Sequence, residues 1–211
     1  MFCNSGCCQQ MFNFVKTVFV AFIVKSTTFG PLVHLAAHWH SAEVFIDVHE
    51  NYQKRSLRNK YKISGPNGTI TLSIPLEKGK HQQQNIRDVK ISYDQPWPRL
   101  HKETLRSCYG SAPFFEHYAD SLFPLFDKHK SFLFDFNLTT FEWMCKALKK
   151  PLLWKPSDTF VKNEILPTLE NKPYPQIFMS KLGFVPELSS LDLIMNMGPQ
   201  SPQFLTIITE N

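Results

Sequence analysis

The 211-residue sequence has no apolar stretch of the ~18 to 20 residues that a membrane-spanning helix needs. The longest apolar run, Thr17 to Val24, is closed by Lys16 and Lys25, and no small-residue cleavage site follows it, so a buried first strand is expected rather than a signal peptide. Long runs of one charge are also missing. The net charge is only +5, which makes nucleic acid an unfavoured partner. There is no Gly-x-Gly-x-x-Gly fingerprint, no phosphate-binding loop with its lysine and no Gly-x-Ser-x-Gly elbow, so the common dinucleotide, nucleoside-triphosphatase and hydrolase signatures are excluded. Internal repeats and low-complexity tracts are absent too. The five cysteines make no disulfide framework, because Cys3, Cys7 and Cys8 crowd the start and Cys108 and Cys145 fall on apolar helix faces, where reduced core residues of a cytoplasmic protein are expected.

What the chain has in quantity is apolar and aromatic residues. With 43% hydrophobic residues and 19 phenylalanines it must fold around an interior. Its length suits one substantial core, and a single domain over residues 11–211 is expected, preceded by a ten-residue extension that would be dispensable if translation began at Met11.

The order of patterns points to an α/β fold: a small, partly parallel sheet opened by a βαβ unit, then a β-hairpin and a helical C-terminal half. The β-branched and aromatic run 17–24 reads as a strand buried on both faces. A turn at Ser26 to Pro31 leads into a helix over Leu32 to His40, with Leu32, Leu35, Ala36 and Trp39 on one face, and Glu43 to Val48 returns as a second strand. Alternation in Tyr61–Ser64 and Thr69–Ile74 around Gly65-Pro66-Asn67-Gly68 predicts the hairpin. Residues 76–87 read as a polar surface loop, and Val89 to Tyr93 as a further strand. Helical periods follow, with Leu100, Leu105 and Cys108 on one stripe and Leu138, Phe141, Met144, Cys145 and Leu148 on another. The proline-rich 151–186 stretch reads as irregular, and Ser189 and Asp192 stand at capping-box spacing before a last short helix.

The densest polar cluster, Asp47 to Asn59, follows the end of the second strand, the edge at which open α/β sheets bind ligands. His49 is the candidate base there and Glu50 the carboxylate to orient it, while Lys54 and Arg58 suit phosphate or carboxylate oxygens. His34, His38 and His40 give His-x-x-x-His-x-His, but no glutamate follows His34 as in a zincin, so surface histidines are expected and no metal site. Thr27, Thr28 and Gly30 occupy a strand-to-helix turn whose backbone N–H groups suit an anion.

Thr28-Phe29-Gly30-Pro31, the run Val48 to Lys60, Leu72-Ser73-Ile74-Pro75, Asp88 to Tyr93, Ser111 to Glu116 and the closing Lys181 to Pro199 stand in an order that resembles the WbqC-like family, over about Ser26 to Leu205. The resemblance implies a bacterial cytoplasmic protein of O-antigen or other surface-polysaccharide biosynthesis, with transfer of an acyl or aminoacyl group to an amino sugar as its activity. It carries functional roles onto His49, Glu50, Lys54, Arg58 and Asn59, and onto Gln176, Ser189 and Asp192. The chain departs from the family's pattern at Ser26-Thr27 and at the three histidines of the first helix.

Two functions are therefore expected to compete. One is a transferase that binds a small anionic ligand such as a nucleotide sugar; the other is a non-catalytic scaffold of the same pathway. No cofactor, donor or oligomeric state is specified by the residues.

Overall fold

The structure is a computed structural model, and it describes residues 22–40, 43–77, 84–151, 153–164, 166, 169 and 172–209. The cysteine cluster and most of the first apolar run lie outside them. Three short strands, β1 (Phe22–Val24), β2 (Val44–Ile46) and β5 (Trp154–Pro156), form a parallel sheet in the order β1-β2-β5, with Val44 paired to both Phe22 and Trp154. Helix α1 (Leu32–His40) makes the crossover from β1 to β2, so the expected βαβ unit is present. The third strand was not foreseen. It sits in the proline-rich stretch, and Pro156, which has no N–H to give, is its last residue.

A separate hairpin pairs β3 (Lys60–Gly65) with β4 (Gly68–Ser73). Its turn needs φ of +124° at Gly68, a conformation open chiefly to glycine. The helical half comprises α2 (Trp97–Tyr109), α3 (Phe115–Leu122), α4 (Pro124–Asp127), α5 (Leu133–Ala147), α6 (Met179–Leu182), α7 (Ser190–Met197) and α8 (Ser201–Thr209).

Four local expectations are corrected. Val89 to Tyr93 makes only isolated bridges, Ile91 to Leu76 and Lys90 to Phe132, because no neighbouring segment stays extended beside it. The end of the expected polar loop is ordered as a 3-10 turn, Ile86–Asp88, whose N–H at Arg87 is capped by Asn85. Leu100 is 47% exposed, off the buried face of α2 that carries His101, Leu105 and Cys108. His34 and His38 are buried, not on the surface, because α1 is covered by β1, α7 and α8.

Helix α5 fixes the β1–α1 turn in place. Asn137, itself buried, accepts from the Thr28 hydroxyl at 2.6 Å and donates to Ser26 Oγ at 3.0 Å and to the Arg58 carbonyl at 2.9 Å. Phe29, fully buried against Tyr61 and Trp143, has φ of +42°, a left-handed conformation that a bulky residue adopts only when its surroundings impose it. Deleting its ring would remove on the order of 3 to 5 kcal/mol of packing.

Candidate functional site

The carboxyl ends of the three parallel strands meet at one edge, and each contributes a polar residue at once: Lys25 after β1, Asp47 after β2 and Ser157 after β5. Asp47, with no exposed surface, ties them together. It accepts from Lys25 Nζ at 2.6 Å, from the backbone N–H of Val161 at 3.0 Å and of His49 at 2.9 Å, and from the Ser157 hydroxyl at 3.4 Å. Burial pushes its carboxyl up, but Lys25 and the two N–H donors outweigh that and hold it below the ordinary range.

Beside it Glu50, 1% exposed, receives both Nε, at 3.1 Å, and Nη2 of Arg58 on the same oxygen, Oε2, with Lys25 Nζ at 3.7 Å. Its other oxygen, Oε1, is buried without a hydrogen bond. Burial raises the Glu50 carboxyl above its ordinary range, the Asp47 charge adds to this, and the Arg58 and Lys25 cations offset only part of it.

The edge opens on a cleft of about 530 Å³. Lys25, Arg58 and Lys162 bring three cations to its walls against one carboxylate, Glu164. Arg58 Nη1 has no hydrogen-bond partner among the described residues, so the guanidinium is held by Glu50 on one side and offers its remaining donors to the cleft. Thr27 and His34 line the same cleft. Across Pro31, Val33 and Leu57, which wall both spaces, it adjoins a mainly apolar groove of about 660 Å³ that includes Tyr174, Phe184 and Leu188.

The structure divides the residues singled out from sequence into three groups. Glu50 and Arg58 are paired, with Arg58 lining the cleft and Glu50 buried behind it. His49 is apart: its Nε2 lies 3.0 Å from the Ser157 carbonyl, and its side chain faces a different cavity with Asn85, Arg87 and Asp135. Glu50 therefore steadies Arg58 and not His49, and the imidazole at 49 and the guanidinium at 58 share no hollow. Lys54 is exposed and makes no ion pair among the described residues. Asn59 is buried, accepting from Tyr52 at 2.9 Å and donating to the Ile74 carbonyl at 2.9 Å, a clamp between the loop and the hairpin.

Gln176, Ser189 and Asp192 form the third group and do not line the cleft, although Ser189 bridges to Pro31 in its wall. Asp192 accepts the hydroxyls of Tyr109 at 2.7 Å and Tyr174 at 2.8 Å, and the Gln176 amide at 3.3 Å. The expected capping box does not form, because Asp192 looks inward and the Ser189 side chain makes no cap bond. Burial raises the Asp192 carboxyl, and the tyrosine, Gln176 and Asn196 bonds offset part of the rise.

His34 and His38 do not converge on a metal. His34 is paired with Thr27 and Glu164, and His38 Nε2 lies 3.2 Å from the Pro151 carbonyl. Among the described residues no three His, Cys, Asp or Glu side chains are grouped to hold an ion, and no helix is long and apolar enough to cross a membrane. Sequence reasoning placed Asp47 only at the start of the polar cluster and His34 only in an unfavoured metal pattern, and missed Lys25 and Glu164 as site residues. Lys25 and Asp47 carry a legible signal, since each immediately follows a parallel strand; Glu164 carries none.

Comparison with known proteins identifies a family. The sequence model of the WbqC-like protein family covers residues 28–165, a span that holds Glu50, Arg58 and Glu164 and stops short of Gln176, Ser189 and Asp192. No curated protein and no solved structure matches the chain.

Proposed function

Because the chain belongs to the WbqC-like protein family, we propose that it is a transferase of bacterial surface-polysaccharide biosynthesis that moves an acyl or aminoacyl group onto a nucleotide-linked amino sugar. The observation that carries this reading is the half-engaged Arg58, whose guanidinium is fixed by a buried carboxylate and still has a donor edge facing a cleft at the carboxyl end of a parallel sheet. Such a group is pre-ordered for phosphate oxygens, so little of its binding energy is lost in ordering a side chain. In this reading Arg58 and Lys162 hold the pyrophosphate of the nucleotide sugar, and the adjoining apolar groove receives the chain of the acyl donor.

Glu50 also gives the site a means of adapting. With its carboxyl raised and Oε1 unbonded, it can take up a proton as a bound anion draws on the Arg58 charge while the guanidinium keeps its place, and no buried negative charge is then left unpaired.

The test is a thermal-shift titration with UDP-N-acetylglucosamine. The wild-type melting temperature is expected to rise with ligand concentration, as binding to the folded state requires, and Arg58→Met should remove the rise. Equal stabilisation of both proteins would contradict the reading.

A further inference from the structure

Beside Arg58 the cleft holds a second constellation, Thr27, His34 and Glu164, which the ligand-binding reading does not use. His34 Nε2 is 2.9 Å from Glu164 Oε1, and the same oxygen accepts the Lys25 backbone N–H at 2.6 Å, so the carboxylate is fixed from two sides. An ionised carboxylate only accepts hydrogen bonds, which puts the imidazole proton on Nε2. Nδ1 is then an acceptor, and Thr27 Oγ1 stands 3.1 Å from it. Both ring nitrogens are engaged, and His34 is buried. Its route to anything bound in the cleft therefore runs through the Thr27 hydroxyl.

The backbone is shaped around this contact. A Cβ at position 30 would lie 2.5 Å from Thr27 Oγ1 and 3.2 Å from His34 Nδ1, so only glycine leaves the pair room to approach. The left-handed Phe29 makes the sharp turn that brings Gly30 and α1 back over Thr27. Strain held at a strand-to-helix turn that lines a cleft points to a functional site. Thr27 lies just outside the span matched by the family, so the relay is read from this chain's own geometry.

We propose that Thr27 is the nucleophile that carries the acyl group, with His34 as its base and Glu164 as the positioning residue for His34. This rests on the group-transfer reading above. In the first half-reaction Thr27 Oγ1 forms a bond to the acyl carbon, its proton passes to His34 Nδ1, and the bond from that carbon to the leaving group breaks as the proton is handed to the leaving atom. In the second half the amine nitrogen of the amino sugar bonds to the acyl carbon, the carbon–Oγ1 bond breaks, and the amine proton returns through Nδ1 to Thr27. Atoms and charge balance with no further reactant, and the product is an amide with the hydroxyl restored.

The experiment uses the full chain and p-nitrophenyl acetate as an activated acyl probe. A burst of about one p-nitrophenolate per chain is expected, with one hydroxylamine-labile acetyl group located on Thr27 by peptide mass spectrometry. Thr27→Ser should retain the adduct and Thr27→Val lose it, while His34→Gln should slow the burst by at least about 100-fold. An acetyl group found only on other residues, or a Thr27→Val burst equal to wild type, overturns the proposal. Should Thr27→Val fail to fold, Glu164→Gln decides: a burst slowed at least about tenfold at unchanged melting temperature supports the relay, and an unchanged burst overturns it. Acetylation of Thr27 without any UDP-N-acetylglucosamine binding would sink the acceptor reading and leave the relay standing. Binding without acetylation would do the reverse.

Discussion

Two buried carboxylates, Glu50 and Asp192, sit in networks of opposite character. Around Asp192 every carboxylate oxygen is met: Oδ1 by Tyr109, Oδ2 by Tyr174 and Gln176. The donors are neutral, they come from α2 and the segment ahead of α6, and Tyr109 goes on to accept the Ser64 N–H of β3. Around Glu50 the partners are cations, one oxygen has no partner, and Arg58 keeps a donor edge toward a cleft. A closed network of this kind holds elements together and leaves nothing for a ligand to complete. An open one is less economical for stability, and its missing partners are what a ligand supplies.

The largest effect that would break this contrast is expected at the closed network. Asp192→Ala strands three buried donors at once and should destabilise the protein by about 3 to 5 kcal/mol, measured by urea unfolding. It should do so whether or not an anion is present.

The next effect separates the closed interior from the cleft by pH. Burial, with the nearby Lys150 charge, lowers His38 to about 4, the Pro151 carbonyl offsetting only part of this. Burial likewise lowers His101 to about 4, offset in part by the Ser73 carbonyl. Unfolded imidazoles take up protons near pH 6.5, whereas these two do so only near 4. Stability is therefore full above about 6.5 and falls as pH drops toward 4, by roughly 2 kcal/mol per histidine between about pH 7 and about pH 5. That window lies above the ordinary range of the carboxylates, and the raised Glu50 and Asp192 carboxyls, which take up protons more readily in the folded state, act against the fall. Urea midpoints across it should show the fall, and His101→Phe should remove about half of it.

At the open network the same kind of deletion should cost less and matter more to binding. Arg58→Met leaves Glu50 to take up a proton, so about 2 kcal/mol of stability is expected to be lost, by urea unfolding, together with the anion-induced thermal shift. The smallest stability change belongs to Lys162→Ala. It is exposed and should leave stability within about 0.5 kcal/mol while weakening UDP-N-acetylglucosamine several-fold in a calorimetric titration.

The same contrast explains how much of the molecule was legible in its sequence. The βαβ unit and the hairpin are written locally, in the apolar run before Lys25, the turn to Pro31 and the glycines at 65 and 68. β5 was hidden because three residues beside prolines carry no strand pattern, and they extend only against β2. Arg58 and Glu50 lie eight residues apart and were both named, yet the partner assigned to Glu50 was its sequence neighbour His49. Glu164 meets the Lys25 backbone across 139 residues, and Asp192 meets Tyr109 across 83, separations at which no spacing rule operates. Ser189 and Asp192 looked like a cap because capping spacing is common near a helix start. The buried tyrosines that claim Asp192 were invisible from there.

Hydrogen–deuterium exchange of the full chain with and without UDP-N-acetylglucosamine tests the distinction most directly. Protection is expected in the segments 25–34, 47–58 and 157–164 that wall the cleft, with exchange across 174–196 unchanged. Protection centred on the Asp192 network instead, or on neither region at saturating ligand, would contradict the account.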